Sequence, residues 1–519
     1  MPRAFDAREG ERPVFDALLD ARARFGGHKE ILEDQDRKPL TYTGLVRAAF
    51  VLGRKIADMT TPQEHVGVLL PSSMGVVVTY FGLHAFGRVP VMLNFTAGSR
   101  NLKAALAAAG VTRILTAKRF VENAKLDDLI ADLKSVAEIV WLDDIRGSIT
   151  LKDKLFGLAA GFFPKLFRTP TSAKDPGVIL FTSGSFGMPK GVVLSQANLV
   201  SNVRQIEAHI DLDPNWVMFN PLPTFHCLGL TGGVLLPLLT GMKAFEYPSP
   251  LHTKQIPPLM REAKASILLA TDTFVNQYAR AGTPEDFASL QFVVCGAEKV
   301  RDETHELFAR DFNGLPVLEG YGATEASPVI AVNQPNDNRR GTVGKLLPGI
   351  ETRVEPVEGI PHGGVLHVRG ANVMAGYLHC DGSKGIDEPA DGWYDTGDVV
   401  EVDREGVVRI LGRVKRFAKI GGEMVSLTAV EGIAEAVWPD GRHAVVSIPD
   451  KKKGERLVLV TDRTDAEVAS LTAWARRHGA PELAVPKKIL KVSEVPVLGT
   501  GKTDYVAIQQ MVELEAEAA

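Results

Sequence analysis

Cysteine is scarce in this sequence, and neither sign of charge dominates it. The 519 residues include three cysteines, Cys227, Cys295 and Cys380, which are far apart and lack CxxC or metal-ligand spacing. This pattern argues against a disulfide framework and indicates a reducing compartment, the cytoplasm. The 59 lysines and arginines against 63 aspartates and glutamates give a formal net charge of -4. The composition therefore provides no general attraction to nucleic acid, and we expect no nucleic-acid partner.

An uninterrupted membrane-spanning run is absent as well. The most apolar stretch, from Val66 to Gly87, is broken by Pro71 and two serines, which predicts a strand, a turn and a buried helix. The start of the chain is dense in charge and has no apolar core, so we expect no secretory signal. Residues 151–168, "LKDKLFGLAAGFFPKLFR", place bulky apolar side chains between lysines. This segment is either a peripheral contact with the inner face of the membrane or an ordinary surface helix.

The chain is too long for a single core, so at least two domains are expected. Short β-branched runs alternate with longer helical patterns, which predicts an α/β fold. These runs begin at Arg113, Ala137, Val178, Ala265 and Gln291. From about Gly341 the glycines become closely spaced and the strands short, as in hairpins of a small β unit. A compact region ends near Arg413, where we place the domain boundary.

A glycine-rich loop follows one of the predicted strands. Residues 181–193 read "FTSGSFGMPKGVV". A Walker A loop is excluded, because Pro189 stands where its second glycine is required and Gly191 follows Lys190. A dinucleotide-binding Gly-x-Gly-x-x-Gly is also lacking. The hydroxyls and backbone amides of residues 182–185 can still surround phosphate oxygens, with Lys190 adding a charge. The alternative is a glycine-rich hairpin without a ligand.

Three further motifs suit a nucleotide. Residues 318–328, "LEGYGATEASP", combine an aromatic ring, glycines, a hydroxyl and a carboxylate, a set able to stack a purine and bind Mg2+. Residues 393–400, "WYDTGDVV", offer carboxylates that can accept hydrogen bonds from ribose hydroxyls. Residues 495–504, "VPVLGTGKTD", present Lys502 on a glycine-rich loop. Each motif alone also suits a turn or a surface, but the four together favour a nucleotide site.

In this order, the four motifs resemble the acyl-adenylate-forming enzymes, which include acyl-CoA synthetases, firefly luciferase and the adenylation domains of nonribosomal peptide synthetases. The resemblance runs from about Phe15 to Gln510. The phrases "LPTFHCLGLTGG", "VVCGAEKV" and "RVKRFAKIGGEMVSL" are most similar to bacterial acyl-[acyl-carrier-protein] synthetases, including the synthetase half of the bifunctional 2-acylglycerophosphoethanolamine acyltransferase. The resemblance implies a large N-terminal α/β domain with a β-barrel subdomain, residues 1–413, and a small mobile C-terminal α/β domain, residues 414–519.

The resemblance also implies which residues bind the substrates. Those implied at ATP are Thr182, Ser183, Gly184, Ser185, Gly187, Lys190, Gly296, Ala297, Glu298, Tyr321, Gly322, Thr324, Asp398, Arg413 and Lys502. Those implied at Mg2+ are Thr182 and Glu325. Those implied along an acyl tunnel are Phe225, His226, Gly229, Thr271 and Thr273. The implied catalytic residues are Lys502, Glu325, Lys190 and His226, and the implied hinge is Lys415.

The implied reaction joins a fatty acid to AMP and then to a pantetheine thiol. Cations must neutralise a carboxylate that attacks a tetraanionic triphosphate, and Lys190, Lys502 and Mg2+ would do so. Two positions depart from the family pattern. Phe186 stands where many members have a threonine, so we expect slower or weaker use of ATP. Lys415 stands where many relatives have an aspartate, from which little follows.

His226 has two interpretations. It lies among apolar residues in "PTFHCLGL", where a histidine is ordinarily a core residue with one hydrogen bond. The resemblance instead places it beside the acyl carboxylate. Its neighbour Cys227 has no base nearby in the sequence, which favours a packing role over a nucleophilic one.

The acceptor of the acyl group distinguishes three hypotheses. We expect a fatty-acid ligase that acts on acyl carrier protein; the alternatives are an acyl-CoA ligase and a non-catalytic nucleotide- or acyl-binding relative. Basic runs at residues 450–456, 475–479 and 486–491 suit an acidic carrier protein and CoA equally. Charge runs of this kind are also common on plain solvated surface.

Overall fold

The structure, a computed structural model, forms two compact units. It describes residues 5–183, 189–360, 362–381, 383, 385–420, 423–450, 454–497 and 503–517. The first unit draws on Met1–Arg340, Leu346–Glu351 and Arg369–Tyr394, and the second on Gly341–Lys345, Thr352–Val368 and Asp395–Ala519. The boundary expected at Arg413 falls within the range of the second unit and stays a prediction.

Strands occur throughout the described chain. In chain order they are β1 (Glu30–Asp34), β2 (Leu40–Thr41), β3 (His65–Val68), β4 (Val89–Met92), β5 (Arg113–Thr116), β6 (Glu138–Trp141), β7 (Pro176–Ser183), β8 (Pro189–Ser195), β9 (Val217–Asn220), β10 (Lys243–Glu246), β11 (Ile267–Ala270), β12 (Phe292–Cys295), β13 (Val317–Gly322), β14 (Val329–Val332), β15 (Lys345–Leu346), β16 (Glu351–Glu355), β17 (Gly364–Arg369), β18 (Gly376–His379), β19 (Tyr394–Val402), β20 (Val408–Arg413), β21 (Phe417–Ile420), β22 (Glu423–Ser426), β23 (His443–Asp450), β24 (Gly454–Thr461) and β25 (Lys488–Lys491).

Helices separate most of these strands. In chain order the α-helices are α1 (Val14–Phe25), α2 (Tyr42–Ala57), α3 (Met74–Ala85), α4 (Ser99–Ala109), α5 (Lys118–Asn123), α6 (Asp127–Leu133), α7 (Leu142–Gly147), α8 (Leu151–Phe162), α9 (Pro164–Phe167), α10 (Gln196–His209), α11 (Leu236–Thr240), α12 (Ile256–Ala263), α13 (Asp272–Ala281), α14 (Pro284–Phe287), α15 (Asp302–Asp311), α16 (Leu427–Val437), α17 (Val468–His478) and α18 (Tyr505–Glu517).

The first unit contains two large sheets with parallel centres. One has the strand order β15-β14-β13-β12-β11-β9-β10-β1-β2, and the other the order β18-β8-β7-β4-β3-β5-β6. The central strands are short apolar runs, such as "ILLA" in β11 and "FVVC" in β12. Such runs suit strands that are covered on both faces by helices. The largest buried cluster joins side chains of both sheets with those of α1, α2, α3 and α10.

The second unit contains two smaller sheets. One has the order β16-β17-β19-β20, and β19 and β20 pair antiparallel, as the closely spaced glycines predict. The other has the order β22-β21-β24-β23, with β25 added parallel to β24. Helices α16 and α17 pack on this sheet around a core that includes Val430, Leu459 and Leu471. This part of the unit is the small C-terminal α/β fold that the sequence predicts.

The strand and helix pattern expected from the sequence is confirmed at the named apolar stretches. The five predicted apolar runs coincide with or overlap β5, β6, β7, β11 and β12, and the apolar stretch from Val66 overlaps β3 and contains α3. Within the described residues, no helix is both long and apolar enough to cross a membrane.

Candidate active site

The glycine-rich loop connects the two strands of an antiparallel hairpin, β7 and β8. Ser183 ends β7, and Thr182 lies directly opposite Lys190 across the hairpin. The predicted ATP residues in the connection, Gly184, Ser185 and Gly187, lie outside the described residues. The hairpin therefore brings a hydroxyl residue and a lysine to the two sides of the loop, as the phosphate-binding prediction requires.

Tyr377 lies beside Lys190 on the neighbouring strand. Strand β18 pairs antiparallel with β8 and sets His379 opposite Lys190, so that Tyr377 is two residues away on the same face. The ammonium Nζ of Lys190 is 4.8 Å from the centroid of the Tyr377 ring, within cation–π distance. The register of the sheet thus holds the lysine at the base of the loop.

Glu325 completes a chain of contacts with these two residues. It lies in the 3-10 turn Thr324–Ala326 after β13, and its side chain is buried. The Tyr377 hydroxyl donates a hydrogen bond of 2.7 Å to Glu325 Oε1. Burial and the adjacent carboxylate raise the pKa of the Tyr377 hydroxyl, so it stays protonated and donates. Lys190, Tyr377 and Glu325 therefore form one connected group of a cation, a ring and a carboxylate.

The other residues predicted at the nucleotide follow three adjacent strands. Strands β11, β12 and β13 are parallel neighbours, so their carboxyl ends share one edge. After β12, Glu298 Oε2 accepts a hydrogen bond of 3.1 Å from the backbone N–H of Thr273, which follows β11. Gly296 N–H donates to the Ala270 carbonyl at 3.2 Å. This edge is where open α/β sheets place ligands.

The turns at this edge have special backbone geometry. Ala297 has φ of 70°, a left-handed conformation that is uncommon for a residue with a Cβ. At Gly322 a Cβ would overlap the carbonyl of Pro328, so only glycine fits there. Tyr321 is buried beside it, and Thr324 begins the turn that carries Glu325. The structure thus brings the predicted residues of the 296–298 and 321–325 motifs to the ends of neighbouring strands.

The predicted acyl residues lie in a tightly packed segment. The Phe225 ring is 5.2 Å from the His226 ring and 5.1 Å from the Phe95 ring, measured between centroids. At Gly229 a Cβ would overlap the Pro223 carbonyl. Thr271 is buried, and its Oγ1 has no hydrogen-bond partner within the residues that the structure describes. A buried hydroxyl of this kind is rare in proteins and marks a place where a ligand or water can supply the partner.

Cys227 follows His226 and is buried. Its Sγ lies 3.8 Å from Thr231 Oγ1, and burial raises the pKa of the thiol to about 12. A thiol with this pKa is protonated at neutral pH, so its environment favours packing over nucleophilic chemistry.

In the second unit, Asp398 and Arg413 form an ion pair. They are cross-strand partners on β19 and β20, and Arg413 Nε donates to Asp398 Oδ1 at 2.8 Å. The aspartate side chain is 6% exposed and the arginine 67% exposed. The carboxylate is therefore held by the sheet, while the guanidinium lies largely in solvent. Lys415, the predicted hinge, lies in the 3-10 turn Val414–Arg416 directly after β20.

Sequence reasoning missed Tyr377 and could not place Lys502. Lys502 lies outside the described residues. Tyr377 is 52 positions from Glu325, and it belongs to none of the motifs that drew attention to the site. No local signal could have found it, because the pairing of β18 with β8 is what brings it to Lys190.

A profile of AMP-binding enzymes matches residues 19–378, more than half of the chain. The chain belongs to the AMP-binding enzyme family. The matched range contains the hairpin, Glu325 and Tyr377. The fold class expected from the sequence, the acyl-adenylate-forming fold, is confirmed.

Named members of the AMP-binding enzyme family align along most of the chain. The medium-chain fatty-acid–CoA ligase of Escherichia coli is 26% identical over 502 residues, which cover 92% of this chain and 87% of the relative. The long-chain-fatty-acid–CoA ligase of Salmonella typhimurium is 26% identical over 476 residues, 85% of this chain and 84% of the relative. Among solved structures, ATP-bound MatB from Rhodopseudomonas palustris superposes with a TM-score of 0.82 at 25% identity, covering 96% of this chain and 99% of that one.

Proposed function

We propose that this protein is an AMP-forming acid–thiol ligase that activates a fatty acid with ATP. The observation that carries the proposal is the connected group of Lys190, Tyr377 and Glu325 beside the glycine-rich hairpin. In this group a cation for phosphate and a carboxylate for a metal lie on the two sides of one tyrosine. The family match and the names of the relatives support the same reaction class.

The residues present fit ATP and Mg2+. Mg2+ is usually held by one or two carboxylates together with substrate phosphates, so it needs no large protein cluster. Tyr377 donates to Oε1 of Glu325, and the carboxylate has a second oxygen to offer a cation. We propose that Glu325 and Thr182 hold Mg2+, which would neutralise phosphate charge when bound. Lys190 would contact the β- and γ-phosphates.

The nucleoside would use the edge formed by β11, β12 and β13. We propose that residues 296–298 line the adenine and ribose, that Tyr321 stacks on the base, and that Thr324 contacts the α-phosphate. In the second unit, the Asp398 carboxylate is proposed to accept hydrogen bonds from the ribose hydroxyls. Its support is geometric, because its carboxylate is fixed by β19 and its arginine partner is mostly in solvent.

The reaction proceeds in two displacements. A carboxylate oxygen of the fatty acid attacks the α-phosphorus of ATP, the bond to pyrophosphate breaks, and acyl-AMP forms. A thiol then attacks the acyl carbon, the bond to AMP breaks, and the thiol proton passes to solvent. Lys502 is proposed to lie between carboxylate and α-phosphate in the first step, Lys415 to act as the hinge, and His226 to lie beside the acyl carboxylate.

We propose CoA as the acceptor of the acyl group. The support is that the named relatives are acyl-CoA ligases over most of this chain. Acyl carrier protein is the second candidate, because the C-terminal end of α17 exposes Arg476 and Arg477 toward solvent. Exposed arginines suit the acidic surface of a carrier protein, but they suit the phosphates of CoA as well.

One competition experiment tests both the reaction and the acceptor. Purified protein is incubated with ATP, Mg2+ and a mixed-length fatty-acid pool, with CoA and holo-carrier protein present together, and thioesters are identified by mass spectrometry. Acyl-CoA is the expected product. If acyl-carrier-protein is the only thioester formed, the carrier protein is the acceptor instead of CoA. If neither thioester forms and no AMP is released, the ligase proposal is refuted.

A matched pair of variants tests the site. Glu325→Gln removes the proposed metal ligand while keeping the side-chain shape, and we expect pyrophosphate exchange to fall by about a hundredfold or more. Glu306→Gln, the same change on the exposed surface of α15, is the control. Equal exchange rates for the two variants would remove Glu325 from the site.

A further inference from the structure

Helices α8 and α9 present two different faces. The inward residues of α8 are spaced three and four positions apart, as one face of a helix requires, and they pack on α2. The outward residues belong to the segment that the sequence leaves as either a membrane contact or a surface helix. The inward face fits a surface helix packed on the protein, and the outward face fits a membrane contact.

The inward face is a close helix-to-helix seam. At Gly157 a Cβ would overlap Val51 of α2, and at Gly161 it would lie 2.6 Å from Arg47 Cγ. The only acidic side chain of residues 151–168, Asp153, is turned to this face and pairs with Lys55 at 2.9 Å. Helix α8 is thus anchored on the first unit through inward residues, and its outward side chains take no part in these contacts.

The outward face is apolar to an unusual degree for an exposed surface. Its bulky side chains are between 42% and 80% exposed: Leu151, Leu155, Leu158, Phe162, Phe163 and Leu166. These six residues define the α8–α9 surface. The described chain contains other exposed apolar side chains, such as Leu251 at 64%, but they are scattered. A contiguous patch of this kind marks an interaction site.

The exposed charged side chains of residues 151–168 are all positive. Lys152, Lys154 and Lys165 are exposed among its apolar side chains, and Arg168 at its end pairs with Asp16 at 2.6 Å. Arg47 of α2 lies 5.4 Å from the Phe162 ring centroid at its margin. Bulky apolar residues alternating with lysines are typical of helices that lie in a bilayer interface, where the apolar groups enter the acyl region and the lysines meet anionic headgroups.

We propose that the α8–α9 surface docks on an anionic lipid bilayer. This inference is independent of the proposed ligase activity, since it uses none of its residues. The charge pattern argues against a second copy of the chain as the occupant. In a twofold contact the same surface faces itself, so the three lysines of each copy would meet like charges, and residues 151–168 carry no exposed carboxylate to balance them.

Vesicle co-sedimentation with the full chain tests the proposal. Vesicles of phosphatidylcholine containing phosphatidylglycerol should bind the protein. The double variant Leu155→Asp/Phe163→Asp should lower the partition coefficient by about tenfold or more, because each change removes apolar contact and adds like charge. Leu251→Asp, the same chemical change at an exposed site elsewhere, should leave binding unchanged. Equal binding by both variants would overturn the proposal.

A second variant separates the electrostatic contribution. Lys152→Gln/Lys154→Gln/Lys165→Gln should weaken binding to the anionic vesicles by about fivefold per lysine and leave the weak binding to pure phosphatidylcholine unchanged. Sedimentation equilibrium on the same proteins checks the competing occupant. If the Leu155→Asp/Phe163→Asp variant changes the oligomeric state but not vesicle binding, the surface is an interface between copies and the proposal is wrong.

Discussion

Two regions of the molecule use the same three groups, a cation, a tyrosine and a buried carboxylate, in different ways. In the first unit, Lys190 lies 4.8 Å from the Tyr377 ring centroid, and the tyrosine donates to Glu325 at 2.7 Å. In the second unit, the Arg416 guanidinium lies 3.7 Å from the Tyr505 ring centroid, and this tyrosine donates to Glu431 at 3.2 Å.

The difference lies in how many partners the carboxylate has. Arg416 reaches Glu431 directly at 2.5 Å, and the backbone N–H of Val445 donates to the same oxygen at 2.7 Å. Lys190 is held over the ring of Tyr377 instead. Within the described residues, the protein supplies several partners to Glu431, as in a scaffold, whereas Glu325 is held by Tyr377 and has an oxygen left to accept a cation. The comparison predicts that variants in the second group change stability and variants in the first change activity.

The largest effect is expected at Glu431. Glu431→Ala leaves the Arg416 guanidinium without its carboxylate in a site where that arginine is only 15% exposed, which should cost about 3–5 kcal/mol of unfolding free energy. Urea denaturation followed by circular dichroism measures the change. Glu423→Ala, at an exposed glutamate of β22, is the control. A loss below about 1 kcal/mol would show that Glu431 is not scaffold.

Lys190→Ala should produce the next largest effect, on activity. Removing a cation that neutralises phosphate in the transition state should lower kcat/KM for adenylation by about a hundredfold to a thousandfold, measured by pyrophosphate exchange. The midpoint of urea unfolding should hardly move, because the ammonium lies against a ring and forms no part of a core. If loss of stability accounts for the lost activity, Lys190 belongs to the scaffold and the proposed difference between the two groups is wrong.

Tyr377→Phe tests whether the tyrosine positions Glu325. The ring stays under Lys190, but Glu325 loses its hydrogen bond, so the Mg2+ concentration for half-maximal activity should rise by about tenfold while the saturating rate changes little. A Mg2+ titration of initial rates distinguishes this from a merely structural role. An unchanged Mg2+ requirement would place Tyr377 outside the metal site.

Tyr505→Phe is the matched change in the second group and should have the smallest effect. Glu431 keeps Arg416 and the Val445 N–H, so the expected loss is about 1 kcal/mol of unfolding free energy, with no change in the Mg2+ requirement. Tyr377→Phe should therefore change the Mg2+ requirement, whereas Tyr505→Phe should change only the unfolding free energy. If Tyr505→Phe altered the Mg2+ requirement, the two groups would not be independent.

The sequence predicted those parts of the fold that are local, and its motifs singled out candidate site residues in the same way. Apolar runs of four to eight residues located β5, β7, β11 and β12, and short, chemically distinctive motifs made Glu325 and Asp398 candidates for the site. In each case the residues that carry the signal are neighbours in the chain.

The rest depends on pairing between distant segments. Tyr377 reaches Lys190 because β18 adds to the edge of β8, and Glu431 reaches Arg416 and Tyr505 across strand and helix connections. No periodicity or spacing in the sequence encodes those registers. The same reason explains the unit division, in which Thr352–Val368 and Asp395–Ala519 join one unit although Arg369–Tyr394, between them in the chain, belongs to the other.

The glycines beneath α8 have a mechanical consequence. Gly157 and Gly161 let α8 touch α2, and Gly53 of α2 lies so close to Gly82 of α3 that a Cβ would overlap the Gly82 carbonyl. At these points α8 receives the Val51 and Arg47 side chains of α2, and α2 and α3 meet backbone to backbone, so the packing leaves little room for one helix to slide past the next. We therefore expect the three helices to move together as one layer, so that a force applied at α8 reaches α3.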